Sequence, residues 1–289
     1  MRNLMQNIFS PLKNIENENI EFDIGFWKSM GVILLWLFVD AIIMVLIYAL
    51  CFQSKSEATI ISIFAIVRLF TLPIEILILN KIFGKRTNEL NTFKKVNKKT
   101  IFHITLLLIV FRLLFDAFIL PMMLRIPEND TLIQAEQTLN SSIIYAILSV
   151  CIIAPIIEEV IFRGIILNGM LKRYNPSIAI IISSLLFAFA HGNFHQGVNA
   201  FLLALIIGYI YCKTHSLYLA IYCHFFNNIT PLFFLIPLTV GGIAFNIVIS
   251  CLISIPVLIY LKKHMHLNYE RRFIRIIPID ENLYSNDET

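Results

Sequence analysis

The chain has 289 residues, of which 58% are hydrophobic and 15% charged, with a net charge of +4 and a mean hydropathy of +0.77. So little charge at this length excludes a soluble globular domain, and apolar runs of about twenty residues, enough to cross a bilayer core, recur along the chain. Basic residues flank these runs instead of forming a face for nucleic acid, and the scattered Cys51, Cys151, Cys212, Cys223 and Cys251 contain no C-x-x-C pair, so they read as buried free thiols and not as a disulfide framework or a cysteine metal site.

Residues 1–30 are polar and mixed in charge, with acids at Glu16, Glu18, Glu21 and Asp23, and Phe26 and Trp27 suit an interfacial position ahead of the first span. Apolar runs predict spans at about 31–51, 59–80, 101–120, 141–171, 177–191, 197–212, 217–232 and 240–261, an all-α, polytopic transmembrane helical bundle of about eight spans. The first run begins near Gly31, is long enough to span and lacks a small-residue cleavage pattern, so it reads as a span and not as a cleaved signal. The fourth exceeds what a membrane needs, which predicts strong tilt or projection beyond the core. The expected organisation is an N-terminal cytoplasmic segment (1–30), a bundle (31–261) with its core at about 141–232, and a cytoplasmic tail (262–289). The loop at 121–140, with Pro121, Pro127, Glu128, Asp130 and Glu136, is expected outside, and the tail ends in Asp280, Glu281, Asp287 and Glu288.

Orientation follows from the basic residues. Eighteen of the 23 lysines and arginines fall in 1–30, 81–99, 172–176, 213–216 and 262–289, and two fall in the intervening loops. Arg68, Arg112 and Arg163 lie inside spans. Alternating spans then place both termini in the cytoplasm of a multi-pass protein of the cell membrane.

Charges inside spans are functional candidates by default. Arg112 and Asp116 are four apart and read as structural glue; Arg68 and Glu75 are seven apart, and Asp40 stands alone. His195 reads as a solvated loop histidine, and His103, His215, His264 and His266 as polar groups at span ends or in the tail.

The costliest feature is Glu158-Glu159-Val160-Ile161-Phe162-Arg163, two adjacent acids and an arginine in the fourth run. Glu159 and Arg163 share a helix face at i, i+4, whereas Glu158 points roughly 100° away without that partner. Counted from the basic ends of their spans at 1.5 Å per residue, Glu158 lies at about 21 Å, His191 at about 24 Å, His224 at about 16 Å and Asn228 at about 22 Å. Three helices can therefore bring a carboxylate, two imidazoles and an amide to one depth, and Phe187, four residues before His191, can pack beneath its ring. Glu158 with His191 could activate water, while His224 and Asn228 donate to an oxyanion. The same Glu158, His191 and His224 could instead hold Zn²⁺ or another divalent metal. No helical H-E-x-x-H signature is present.

At these residues the chain resembles the CPBP family, the CAAX-protease and bacteriocin-processing intramembrane proteases also called Abi. The family's motifs are E-E-x-x-x-R, F-x-x-x-H and H-x-x-x-N, met here as Glu158 to Arg163, Phe187 to His191 and His224 to Asn228. The stretch with Gly208, Tyr209, Tyr211 and Lys213 is also similar, and the resemblance covers roughly residues 143–232. It implies peptide-bond cleavage at the membrane. Glu158 and His191 would position the water, His224 and Asn228 would serve the oxyanion, and Glu159 and Arg163 would support them. The family spacing favours Asn228 over Asn227. Substrates in such a family are peptides or proteins in the lipid bilayer, from prenylated C-a-a-X termini to bacteriocin processing or immunity, with no nucleic acid involved. The cofactor is open, and a metal-free glutamate mechanism is favoured because no dense ligand motif occurs. Two other classes compete: a non-proteolytic immunity or signalling scaffold, and an ion-coupled transporter, for which repeats or interrupted paired helices are absent.

Overall fold

The computed structural model describes residues 10–17, 19–51, 57–87, 91–92, 96–127, 137, 146–232, 240–267 and 272–273. Expectations for Glu128, Asp130 and Glu136, for the start of the fourth run (141–145) and for the acidic tail lie outside these residues. Among the described residues the chain forms nine helices: α1 (Ser10–Glu16), α2 (Phe26–Cys51), α3 (Glu57–Phe83), α4 (Lys98–Met123), α5 (146–170), α6 (Pro176–Ala190), α7 (Phe194–Thr214), α8 (Leu217–Ile229) and α9 (Val240–His264). The described residues also form two short antiparallel sheets, β1 (Ile20–Phe22) with β2 (Gly84–Arg86) and β3 (Asn91–Thr92) with β4 (Arg272–Phe273).

This is the expected polytopic helical bundle. Among the described residues, five helical stretches are long and apolar enough to cross a membrane: Phe26–Leu50, Ser62–Phe83, Lys98–Met123, Phe194–Thr214 and Gly242–His264. The helices carrying the polar motifs are less regular. α6 has 15 residues, α8 has 13, and α5 changes winding along its length. Within α5, π-helical turns at Ala146–Ile153 and Val160–Leu167 flank a short α-helical stretch, Ala154–Glu159. Pro155 heads that stretch. Its ring offers no N–H and would crowd the carbonyl of an ideal preceding turn, so a widened turn relieves the clash there.

The long fourth run is the centre of the bundle. Every residue from Val160 to Leu167 is buried, as expected of a helix apolar on all sides. Around it pack Leu186 and Phe187 of α6, Leu203, Ala204 and Ile207 of α7, and Ala220 and Cys223 of α8. The outer helices reverse the soluble pattern. On α9, Phe245, Val248, Leu252 and Ile259 are exposed, whereas Asn246, Ser250 and Ser254 are buried. An apolar exterior over a polar interior stripe suits a surrounding hydrocarbon phase.

The charges of Asp40, Arg68, Glu75, Arg112 and Asp116 are paired. Arg112 binds Asp116 with a 2.7 Å separation, as the i, i+4 spacing predicts. Asp40, expected to stand alone, lies 2.7 Å from Arg68, which also holds Glu75. Packing of α2 against α3 joins them across a separation in the sequence that no local pattern reveals. Two histidines are also corrected. His195 sits in the first turn of α7, where its Nε2 lies 3.0 Å from the Met123 carbonyl, and is no free loop group. His103 is buried and lies 3.4 Å from the Tyr260 hydroxyl. Cys151 and Cys223 are buried free thiols, while Cys212 and Cys251 are half-buried ones.

Described residues ahead of α2 pack into the bundle. Leu12, Ile15, Phe22 and Ile24 belong to the main core, and the Asn80 amide donates to the Pro11 carbonyl at 3.3 Å. Arg173, just beyond α5, grips Asp23 bidentately at 2.7 and 3.0 Å. That hydrogen bond holds the Asp23 carboxyl below its ordinary value. A lowered value in the folded state means the contribution is present above the unfolded carboxylate range and is lost as pH falls through the folded value. Urea or thermal unfolding from neutral to acid pH should therefore show a small acid destabilisation in wild type that is reduced in Asp23→Asn. The pair is exposed, so the effect is expected to stay modest.

Candidate active site

Glu159 is fully buried and takes its bonds through one oxygen. Its Oε1 accepts from Arg163 Nη1 at 3.0 Å and lies 2.8 Å from His224 Nδ1. An ionised carboxylate only accepts, so the His224 proton on this side sits on Nδ1. Arg163 Nη2 donates to the Ala204 carbonyl at 3.1 Å, which fixes the guanidinium to α7. One carboxylate thus couples α5 to α8 and, through Arg163, to α7.

Glu158 is held differently. Its side chain is 16% exposed, and its Oε2 faces His224 Nε2 at 3.9 Å with no protein hydrogen-bond partner. His224 and His191 are both within electrostatic reach of it. His191 caps the end of α6, and its Nδ1 lies 2.9 Å from the Phe187 carbonyl. A carbonyl only accepts, so Nδ1 carries the proton and the neutral ring keeps a lone pair on Nε2. Both imidazoles are oriented in this way, with Nδ1 engaged and Nε2 free. The spacing of the sequence places the residues as found: Glu159 locked, its neighbour Glu158 turned toward the histidines.

Asn228 has a more anchored position than expected. Its amide donates to the Val150 carbonyl at 2.9 Å, and its Oδ1 accepts from Asn227 at 3.1 Å. The Asn228 carbonyl accepts from the Cys151 thiol at 3.6 Å. The residue ties α8 to the first π-helical stretch of α5, and one amide hydrogen remains beyond the Val150 bond.

Phe187 does more than support His191. Its ring meets His191 at 4.8 Å, His224 at 5.7 Å and Phe162 at 4.9 Å, each edge to face, and the Arg163 guanidinium lies 5.0 Å from its centroid. The i, i+4 relation to His191 was legible; the contacts to α5 and α8 were not. Phe187→Ala should cost about 3–5 kcal/mol, read from chemical or thermal unfolding in detergent. It should also lower activity per folded molecule, because both imidazoles lose the surface that orients them.

Free Nε2 atoms opposite a held Nδ1 are what metal-ligating histidines present. Yet among the described residues no three His, Cys, Asp or Glu side chains converge as a ligand group. In this arrangement Glu158, His191 and His224 do not fit a metal, and no step below is routed through one.

Comparison with known proteins falls on this same region. Residues 140–230 match the family of type II CAAX prenyl endopeptidase Rce1-like proteins. The matched segment is similar to that family and contains the three motifs by which the chain resembles the CPBP proteins. A curated relative, "Putative membrane peptidase YdiL" of Bacillus subtilis (strain 168), is 29% identical over 77 residues, which are 27% of this chain and 32% of that protein. The chain therefore matches about a third of that relative's length. No solved structure matches. The matched segment includes α5 to α8 with all six polar motif residues, and it leaves out the N-terminal region and α9.

Proposed function

We propose that the protein is an intramembrane endopeptidase that hydrolyses a peptide bond of a membrane-associated substrate, with Glu158 as the base. The observation that carries this reading is the contrast between two adjacent acids. Glu159 is committed to Arg163 and His224, whereas Glu158 Oε2 faces His224 Nε2 without a protein hydrogen-bond partner. The CPBP match supports the same reaction class.

Charge counting supports the roles. Two carboxylates, one guanidinium and one further proton make a neutral cluster, and a neutral cluster is what a low-dielectric interior tolerates. The further proton can rest on either Glu158 or His224. When it rests on His224, Glu158 is an ionised base and His224 Nε2–H is a cationic donor. Water held by Glu158 and the His191 Nε2 lone pair then attacks the scissile carbonyl, and Glu158 takes its proton. The oxyanion is held by His224 Nε2–H and the remaining amide hydrogen of Asn228. As the C–N bond breaks, Glu158 returns the proton to the leaving nitrogen. Glu159, held by Arg163, accepts from His224 Nδ1–H, which fixes the ring and stabilises its cationic form.

Around this core, the basic-residue distribution supports a cell-membrane protein with both termini cytoplasmic, about eight spans within 31–261 and the protease core at about 141–232. Substrates are peptides or proteins in the bilayer, with C-a-a-X-type ends favoured over bacteriocin-related ones by the family description. The test uses purified protein in liposomes with a membrane-inserted peptide carrying a fluorophore and quencher. Cleavage that persists with chelator and vanishes in Glu158→Gln supports the reading; cleavage that needs a divalent metal would replace glutamate alone with a metal-assisted step.

A further inference from the structure

The N-terminal region reaches the start of α8 through Glu16, at the end of α1. Glu16 is buried, and its carboxylate takes three bonds from the start of α8, 200 residues away in sequence. Ser216 Oγ donates at 2.9 Å, and the backbone N–H groups of Leu217 and Tyr218 also donate to it. These N–H groups are orphan donors of a helix start, where negative charge is favourable. Ser216 Oγ itself accepts from Leu219 N at 3.3 Å, so one carboxylate and one hydroxyl close the first turn. His224 is two turns further along the same helix.

The same segment grips the other motif helix. Ile15 packs against Gly164, where a Cβ would approach its Cγ2 to 2.8 Å, and Ile24 packs against Gly169, where a Cβ would come within 2.8 Å. Both glycines lie on α5, after Glu158 and Glu159. Beyond α5, Glu21 lies 3.0 Å from Lys172, and Asp23 pairs with Arg173. Residues 15–24 therefore touch α5 through two glycine notches and a salt-bridged end, while Glu16 holds α8.

We propose that Glu16 is a positioning residue for the Glu158–His224 pair, and that the N-terminal segment is a strap setting the registry of α8 against α5. It acts through the helix start and touches no reacting atom. The inference rests on the protease reading for its kinetic arm only. Glu158 and His224 are 3.9 Å apart, so a displacement of α8 by about 1 Å is enough to matter, and such misplacement lowers rates by roughly tenfold to a hundredfold.

The experiment compares full-length wild type, Glu16→Ala, Glu16→Gln and Gly164→Ala in liposomes, with folded protein quantified by gel filtration. Amide hydrogen exchange is read over α8 and over α2 and α3 as internal references. Glu16→Ala should speed exchange within α8 alone and lower kcat by roughly tenfold or more, with KM nearly unchanged. Glu16→Gln, whose carbonyl oxygen can take the Oε2 place facing both N–H groups while its amide donates to Ser216 Oγ, should recover part of both effects. Gly164→Ala, which displaces Ile15 from the other side, should resemble Glu16→Ala. Unchanged α8 exchange and kcat in Glu16→Ala would overturn the proposal, as would faster exchange in every helix with no rescue by Gln. Should wild type show no Glu158-dependent cleavage, the protease reading fails by itself, and the α8 exchange result then decides the strap alone.

Discussion

Glu158→Gln should lower peptide cleavage by about 10²–10⁴-fold, the range expected for a lost general acid–base group, while the bundle stays folded. The substitution keeps size and shape and removes only the ability to take and return a proton. Stability is expected to hold because Glu158 Oε2 receives no protein hydrogen bond, so none is lost with it. Glu159→Gln should behave differently, since that carboxylate carries bonds from both Arg163 and His224. Measuring rate and unfolding midpoint for the two variants side by side separates the roles of the adjacent acids. A Glu158→Gln protein that unfolds readily, or one that cleaves at the wild-type rate, would contradict the assignment.

Arg163→Leu should be the most destabilising single change in the core. It strands Glu159 as an uncompensated charge at full burial, and removing one partner of a buried pair costs about 3–5 kcal/mol. Whole domains are stable by only about 5–15 kcal/mol, so much of the protein is expected to be lost on extraction. The Ala204 carbonyl also loses its donor, and the Phe187 ring loses the cation 5.0 Å from its centre. The double variant Glu159→Gln with Arg163→Leu removes the stranded charge and should recover much of the stability. Its activity should stay low, because His224 Nδ1 then faces a neutral amide in place of a carboxylate. Recovery of both properties in the double variant would mean that the pair is structural only.

The candidate site was unusually open to sequence reasoning because its groups are costly where they occur. A doubled acid in an apolar run demands partners, and the i, i+4 spacings Glu159–Arg163 and Phe187–His191 are local facts that a helix turns into contacts. Matching depths brought His191 and His224 to Glu158. What stayed hidden depends on packing between distant segments. Glu16 reads as one of several acids in a polar leader, and only the fold brings it to the start of α8. Asp40 finds Arg68 across two helices for the same reason. The length of the fourth run suggested tilt or projection beyond the core; that this central helix is wound partly as π-helix around Pro155 was not legible. Asn228 was expected to be free to donate; its amide is half committed to Val150 because α8 crosses α5 there.

The most direct measurement compares membranes expressing wild type with membranes expressing Glu158→Gln at equal levels, by mass spectrometry of peptides and new protein termini. Termini that vanish in the variant and return on re-expression of wild type are the expected result, and their sequences would define the substrate class. Identical terminal profiles in cells where Glu158→Gln still loses the wild-type phenotype would contradict proteolysis and leave the buried charges serving a scaffold or transport role.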